Sequence, residues 1–353
     1  MPYTALRKAH RKAGERIVGL TRRFTPDLNE ANMRETHEST CGAEQVRSGP
    51  PGPRPKVLPE RRRSRLLRSA LASAGVYALL TAIAVIMAGP FVWMLLSSFK
   101  PNQELFAYPP VWIPTRITFE HFINAFRYTN FARYFLNSTI VSVTATLLNL
   151  FFCSLAGYAF ARLDFPGKNL IFFAILATMM IPVYVTLIPL FILVKRFPLA
   201  GGNNLFGQNG TGLINTYWGL VLPYVVSVFG VFLTRQFFSS IPTELNDAAR
   251  VDGASEFAIY SRIYLPLSRP VLATLAIFSF TGVWDDFLWP LVITNSEHMR
   301  TVQLGLQIFR SQFLVDWGPL MAATLVVTLP VLLIFIFNQR HFVKGVVTTG
   351  LKG

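Results

Sequence analysis

The sequence is short of charge, of acid and of cysteine. Asp, Glu, Lys and Arg together make up 14% of its 353 residues, against roughly a quarter in soluble domains. With 52% of residues hydrophobic, the chain has too little polar surface for a soluble enzyme of this length and too much apolar content for a disordered protein. Two cysteines, Cys41 in a basic tail and Cys153 in an apolar run, exclude a disulfide framework. No Gly-x-x-x-x-Gly-Lys-Ser/Thr loop is present, and Gly167-Lys168 is followed by Asn169, so the chain does not run a nucleotide cycle by itself. The five histidines are scattered without metal-ligand spacing, and no nucleophile–base pattern stands out. An enzymatic role is therefore not expected.

What is present is basic charge and long apolar runs. The net charge is +15, from 33 Lys and Arg against 18 Asp and Glu. Residues 1–73 hold 16 basic and 7 acidic residues. The proline-rich stretch Gly49–Pro55 forms neither helix nor central strand, so residues 1–69 read as a basic, largely disordered cytoplasmic tail. No apolar stretch follows the basic start near Met1, so a cleaved signal peptide is not expected.

From residue 70 on, charge disappears for long intervals. None occurs between Arg68 and Lys100, Arg133 and Arg162, Lys168 and Lys195, Arg196 and Arg235, or Asp316 and Arg340. Each interval exceeds the ~20 residues a helix needs to cross the hydrocarbon core. A further apolar stretch, Leu265 to Thr294, is interrupted by Arg269 and the pair Asp285-Asp286. The expected fold is all-α and membrane-embedded, residues 70–353 forming the membrane domain. Its six spans lie near 74–97, 136–161, 170–194, 216–238, 266–293 and 318–338, because a backbone in lipid must satisfy its own hydrogen bonds. With the N-terminus inside, 25 Lys and Arg fall inside and 8 outside, which predicts both termini in the cytoplasm. The excess basic charge is then a topology signal with affinity for anionic lipid, and no nucleic-acid partner is required. Prolines in five spans (Pro90, Pro182 with Pro189, Pro223, Pro290 and Pro330) read first as kinks.

The segment between spans four and five, residues 240–266, is unlike an ordinary membrane loop. Pro242 suits a helix first turn with Ser240 as cap, and Glu244 and Asp247 sit near its positive end. Leu245, Ala248, Ala249 and Val251 give a small apolar side. Gly253 stops the helix, because glycine tolerates the positive φ a stop often needs. A second helix follows from Ser255 to about Tyr264 and ends before Pro266. By spacing alone the segment reads either as a helix–turn–helix platform for a partner or as an amphipathic connector at the membrane surface.

The order Asp247-Ala248-Ala249, three residues, Gly253, nine residues, Ile263, one residue, Leu265-Pro266 resembles the coupling loop of ABC-transporter permease subunits, the EAA loop, with Asp in the first place. Ser97-Ser98-Phe99-Lys100-Pro101, Asn137-Ser138, Gly157–Arg162, Asn215–Leu220 and Trp284–Pro290 are similar to sugar-importer permeases of the maltose type, so the resemblance runs from residue 70 onward. Asp285 stands where that family more often has Asn.

The resemblance implies the type I importer permease fold, with a transmembrane core over 132–338, in a prokaryotic cytoplasmic membrane. It also implies a second homologous permease chain, two cytosolic ATPase subunits that use ATP-Mg, an external sugar-binding protein, and no cofactor bound by this chain. The cargo is then a mono- or oligosaccharide or a related polyol or glycerol phosphate. Glu244, Asp247, Ala248, Ala249, Gly253, Ile263, Leu265 and Pro266 are implied as the coupling residues. Polar groups within spans are costly, which singles out Asn149, Trp284, Asp285 and Asp286 for the substrate path. For the acidic pair the competing reading is satisfaction near a span end. A different function class, an ion-coupled secondary transporter using Asp285 and Asp286, is the alternative. The segments over 101–135, with an amphipathic helix expected at Phe119–Phe126, and over 198–215 read as external surface, for the binding protein or for the membrane interface. Asn137 and Asn209 match glycosylation sequons only by chance.

Overall fold

The computed structural model describes residues 59–127, 129–310 and 315–350, with side chains over 73–127, 129–310 and 315–339. The tail over 1–58 lies outside the described residues. Contacts divide the chain into Met1–Gly75 and Val76–Gly353, and all the elements discussed below from residue 76 on belong to the second unit. Among the described residues the structure is helices and turns; a single isolated antiparallel bridge joins Arg310 and Val315.

Among the described residues three helices are long and apolar enough to cross a membrane unaided: the Ser73–Ser98 part of α1 (Pro59–Ser98), α3 (Phe131–Arg162) and the Trp317–Gln339 part of the last helix. Between α1 and α3 lies the short amphipathic α2 (Glu120–Arg127), one residue on from where the sequence places it. Three further apolar segments are helix pairs, and counting each pair as one crossing gives six. The pair α4 (Lys168–Ala177, continued by a 3₁₀ turn to Met180) and α5 (Val183–Lys195) bends by 108°. The expected single span over 170–194 is therefore broken at Ile181-Pro182. Both residues are extended there, because a proline disfavours helix in the residue before it and cannot donate the next ladder bond. The pair α6 (Tyr217–Val221, with a 3₁₀ turn to Tyr224) and α7 (Val228–Ser239) bends by only 44° at a break capped by Ser227.

The loop after α7 carries α8 (Glu244–Val251) and α9 (Glu256–Ile259), the latter running into a π-helical turn, Tyr260–Tyr264, and a short helix, Leu265–Leu267. An 80° bend at Ser268 leads into α10 (Arg269–Trp284), followed by α11 (Leu288–Ile293) and finally α12 (Trp317–Gly350).

α3 is the pillar of the assembly. Val141, Ala145, Asn149, Cys153 and Gly157 recur every fourth residue and are all buried, a stripe that α7 and α10 cover. Small residues let the helices approach closely. A Cβ on Gly157 would collide with the Thr234 side chain and lie 2.9 Å from the Arg235 backbone nitrogen, so α7 fixes glycine there. α12 packs in turn on α10 and α2. In contrast, residues 73–92 of α1 are exposed throughout.

Candidate functional site

The loop between α7 and α10 has one side held by the bundle and one side open. α8 begins after Thr243, two residues later than the sequence suggests. Ser240 does not cap it: its hydroxyl donates to Phe237 O at 2.7 Å and so finishes α7 instead. α8 ends as expected at Gly253, whose φ is 78°. Two bonds close the stop, Ala254 N to Ala249 O at 2.9 Å and Gly253 N to Arg250 O at 3.0 Å, the 6→1 and 5→2 pattern of a Schellman cap. Ser255 then caps α9 by accepting from Ala258 N at 3.3 Å. The helical path does not stop before Pro266. The π turn bonds Leu265 N to Tyr260 O, and Pro266 falls in the short helix Leu265–Leu267 that continues it.

The held side rests on three residues of α3 spaced four apart, which therefore share a face. Ser154 Oγ lies 2.7 Å from Tyr260 Oη; Tyr158 Oη donates to Glu256 Oε2 at 2.7 Å; Arg162 donates to Phe238 O at 2.7 Å and to Ile241 O. Tyr158, Phe238 and Tyr264 pack edge to face between these anchors, and the Arg162 guanidinium lies 5.3 Å from the Tyr264 ring centre. Glu256 also pairs with Arg250 of α8 at 2.7 Å. The bond from Tyr158, followed by that from Arg250, holds the Glu256 carboxyl below its ordinary range.

On the open side, Glu244, Asp247 and Ala248 are exposed with Gly253, while Ala249 is half-buried. Leu245, Val251 and Phe257 are 43%, 88% and 64% exposed, apolar side chains left uncovered by the described residues. Ile263 and Leu265 instead pack against the Tyr158–Tyr264 cluster, and Pro266 is exposed. The sequence-derived set thus divides into exposed Glu244, Asp247, Ala248, Gly253 and Pro266 and an inward group, Ala249, Ile263 and Leu265, packed on that cluster. Of these anchors, Tyr158 and Arg162 stand in the sequence reading only as part of the Gly157–Arg162 motif, with no role given, and Glu256 and Arg250 are not singled out there. The signal for them was the spacing of Ser154, Tyr158 and Arg162 on an otherwise apolar helix.

The residues proposed for a substrate path do not converge. Asn149, near the middle of α3, borders a cleft of about 270 Å³ together with Tyr224, Ser227, Phe278, Ser279 and Gly282. Its amide is engaged, Nδ2 donating to Tyr224 O at 2.9 Å and Oδ1 accepting from Ser227 Oγ at 3.4 Å, and it thereby pins the break between α6 and α7. Trp284 is 1% exposed. It stacks on Phe280, meets Phe135 edge to face and donates to Val327 O at 3.1 Å, a packing role that leaves no face for a ligand. Asp286 accepts from Leu288 N at 2.8 Å and Trp289 N at 3.3 Å, starting α11, and from the Tyr224 hydroxyl. Asp285 is exposed, with Gln303 Nε2 at 3.4 Å. The two carboxylates therefore do separate jobs, and the reading in which they are satisfied locally fits Asp286.

The other end of α3 is equally organised. Asn137 Nδ2 donates to His298 O and Arg300 O at 2.8 and 2.9 Å, and Ser138 Oγ accepts from Val302 N at 2.8 Å. Asn215 Oδ1 accepts from Asn295 N and Ser296 N at 2.7 and 2.9 Å. These motif residues clamp the segment after α11, and Asn137 is fully buried, consistent with its sequon being fortuitous.

Residues 153–348 match the family described as binding-protein-dependent transport system inner membrane component. A permease protein of an arabinooligosaccharides transport system in Halalkalibacterium halodurans is 35% identical over 274 residues, covering 77% of this chain and 93% of that protein. A permease protein of a diacetylchitobiose uptake system in Streptomyces coelicolor is also 35% identical, over 78% of this chain and 87% of its own length. A lactose transport system permease protein of Rhizobium radiobacter is 32% identical over 79% of this chain and 96% of its own. Among solved structures, a chain of a bacterial ABC transporter involved in import of the acidic polysaccharide alginate superposes with a TM-score of 0.67 at 22% identity. The superposition covers 78% of this chain and 98% of that one, and shows a shared fold.

Proposed function

This chain belongs to the family of binding-protein-dependent transport system inner membrane components, and from that membership we propose that it is one permease half of an ATP-driven importer for a carbohydrate. Relatives named for arabino-oligosaccharide, diacetylchitobiose and lactose transport support an oligosaccharide as cargo. A solved alginate transporter in complex with a substrate-bound periplasmic protein supports delivery by an external binding protein. The chain works in the cytoplasmic membrane with both termini inside, beside a second permease chain and two ATPase subunits that bind ATP-Mg.

One observation carries the mechanical part of this reading. The loop over 240–266 exposes Leu245, Val251 and Phe257 while other groups of it are bonded to α3. An apolar surface on a fixed platform suits docking of a second protein. ATPase closure would push on α8, and the push would reach α3 and α10 as movement of nearly rigid helices. The cleft beside Asn149 lies between the elements so moved and is this half's contribution to the substrate path. The secondary-transporter alternative needs a mobile acid pair in mid-membrane, and Asp286 is committed to capping α11.

The test is co-purification of the tagged chain with ATPase subunits, repeated for Val251→Asp. The proposal expects the parent to retain the ATPase and the variant to lose it while still inserting into the membrane. An equal yield of ATPase with both would defeat the docking role. Binding-protein-dependent uptake of labelled lactose, diacetylchitobiose and arabino-oligosaccharides then tests the cargo class.

A further inference from the structure

Glu256 is the one side chain of the loop that bonds to α3 and to α8 at once. Its partners differ in kind. The pair with Arg250 is close to half exposed on both sides, and such pairs hold weakly in water. The bond from Tyr158 is a hydroxyl donating to a carboxylate, a stronger class of contact. It also comes from a residue that cannot swing away: Tyr158 is 3% exposed, with the rings of Tyr264, Tyr260 and Phe238 at 5.0, 5.5 and 6.4 Å. At the other end, Ser255 fixes the start of α9, so Glu256 is held by its own backbone as well. Arg250 sits in the last turn of α8, next to exposed Val251 and three residues before Gly253. From Tyr158, α3 runs unbroken back to Asn149 at the cleft.

We infer that Tyr158 and Glu256 are positioning residues for transport: together with Arg250 they form a strut that locks α8 and α9 to α3, so that displacement of the docking surface moves the wall of the cleft. The inference rests on the docking role of the loop and adds to it the path by which the push enters the bundle. Ser154 and Arg162 hold the loop in place, but neither reaches α8. Removing the Tyr158–Glu256 bond should therefore leave the ATPase attached and turning over while α3 ceases to follow it. The low-lying carboxyl of Glu256 fits this role, since the acceptor stays ionised throughout the working pH range.

The experiment uses the purified complex of this chain with its permease and ATPase partners and needs no sugar. A cysteine is placed at exposed Ala132, at the far end of α3. Its reaction rate with a membrane-impermeant maleimide is measured with and without ATP-Mg and orthovanadate. In the parent, trapping changes the rate severalfold. In Tyr158→Phe and in Glu256→Ala the change is lost although ATP hydrolysis persists, and the double variant is no worse than either single one. Glu256→Gln, which keeps an acceptor for Tyr158, restores the response. A response that survives in Tyr158→Phe and Glu256→Ala overturns the strut, and so does loss of the ATPase subunits from Tyr158→Phe. Should the parent bind ATPase yet show no nucleotide response, the strut is overturned while docking stands; should the parent retain no ATPase, the docking reading fails and the strut falls with it.

Discussion

The Tyr217 hydroxyl donates to Asn137 Oδ1 at 2.7 Å, and the same Asn137 side chain donates both amide hydrogens to the backbone oxygens of His298 and Arg300. One buried amide thus joins α3, α6 and the segment after α11. Asn137→Ala leaves a hydroxyl and two carbonyls without their partner, each costing about 1–3 kcal/mol when buried. The expected result is a large fall in the thermal midpoint in detergent. Asn137→Asp is expected to fail as well, because an acceptor-only side chain faces two carbonyls.

Gly157 meets α7 where there is no room for a methyl group. A Cβ would lie 2.9 Å from the Arg235 backbone nitrogen, and backbone cannot move aside as a flexible side chain can. Gly157→Ala should cost about 1–3 kcal/mol by overpacking. Gly89→Ala, in α1 with nothing near its Cβ position, should be neutral or slightly stabilising. Comparing the thermal midpoints of the two variants checks the claim; equal shifts would refute it.

Much of this architecture was legible in the sequence, for identifiable reasons. Apolar runs free of charge mark helices because lipid permits few alternatives. The stop at Gly253 was readable because a positive φ has a known chemical preference. Local signals misled where two elements compete for one residue, as with Ser240, which finishes α7 rather than starting α8. The polar residues of the spans looked functional because their partners are remote. Trp284 bonds to Val327 and Asp286 to Tyr224, and neither pairing leaves a trace in local sequence. The Tyr158–Glu256 bond, between residues 98 positions apart, was hidden for the same reason.

Glu297 carries a pH signature outside the spans. Its carboxylate accepts from Tyr134 Oη and Asn130 Nδ2, both at 2.9 Å, and these bonds hold its pKa below the ordinary glutamate value. A lowered folded-state pKa means that its contribution to stability is complete above the unfolded value, about 4.3. The contribution is lost as pH falls through the folded value. The gap in thermal midpoint between the parent and Glu297→Gln should therefore be constant at neutral pH and close in acid. A gap independent of pH would show that the charge is irrelevant to the clamp.

Trp284 and Asp285 are neighbours in sequence with opposite expected responses. Trp284→Ala empties a fully buried site stacked against Phe280, and such truncations cost about 3–5 kcal/mol. Its phenotype should be low yield and low stability, not altered sugar preference. Exposed Asp285→Asn should leave stability within about 0.5 kcal/mol. Yield and thermal midpoint of both variants decide the matter before any uptake assay is interpreted.

Gly253 separates two reasons for requiring glycine. Its φ of 78° strains any ordinary residue, while a Cβ there would meet none of the described residues within 4 Å. Asn tolerates the left-handed region, so Gly253→Asn should keep the Schellman stop and the stability of the parent. Gly253→Glu should add a backbone penalty of about 1–2 kcal/mol. If the bare backbone is needed only for the turn, Gly253→Asn retains the ATPase subunits in full. If a partner approaches the turn closely, as the docking role requires, Gly253→Asn loses them without losing stability, and Gly253→Glu loses them completely. The second pattern is expected, because Gly253 is open around its Cβ position and lies two residues from exposed Val251. The paired measurement is the thermal midpoint of the isolated chain and the ATPase recovered with it.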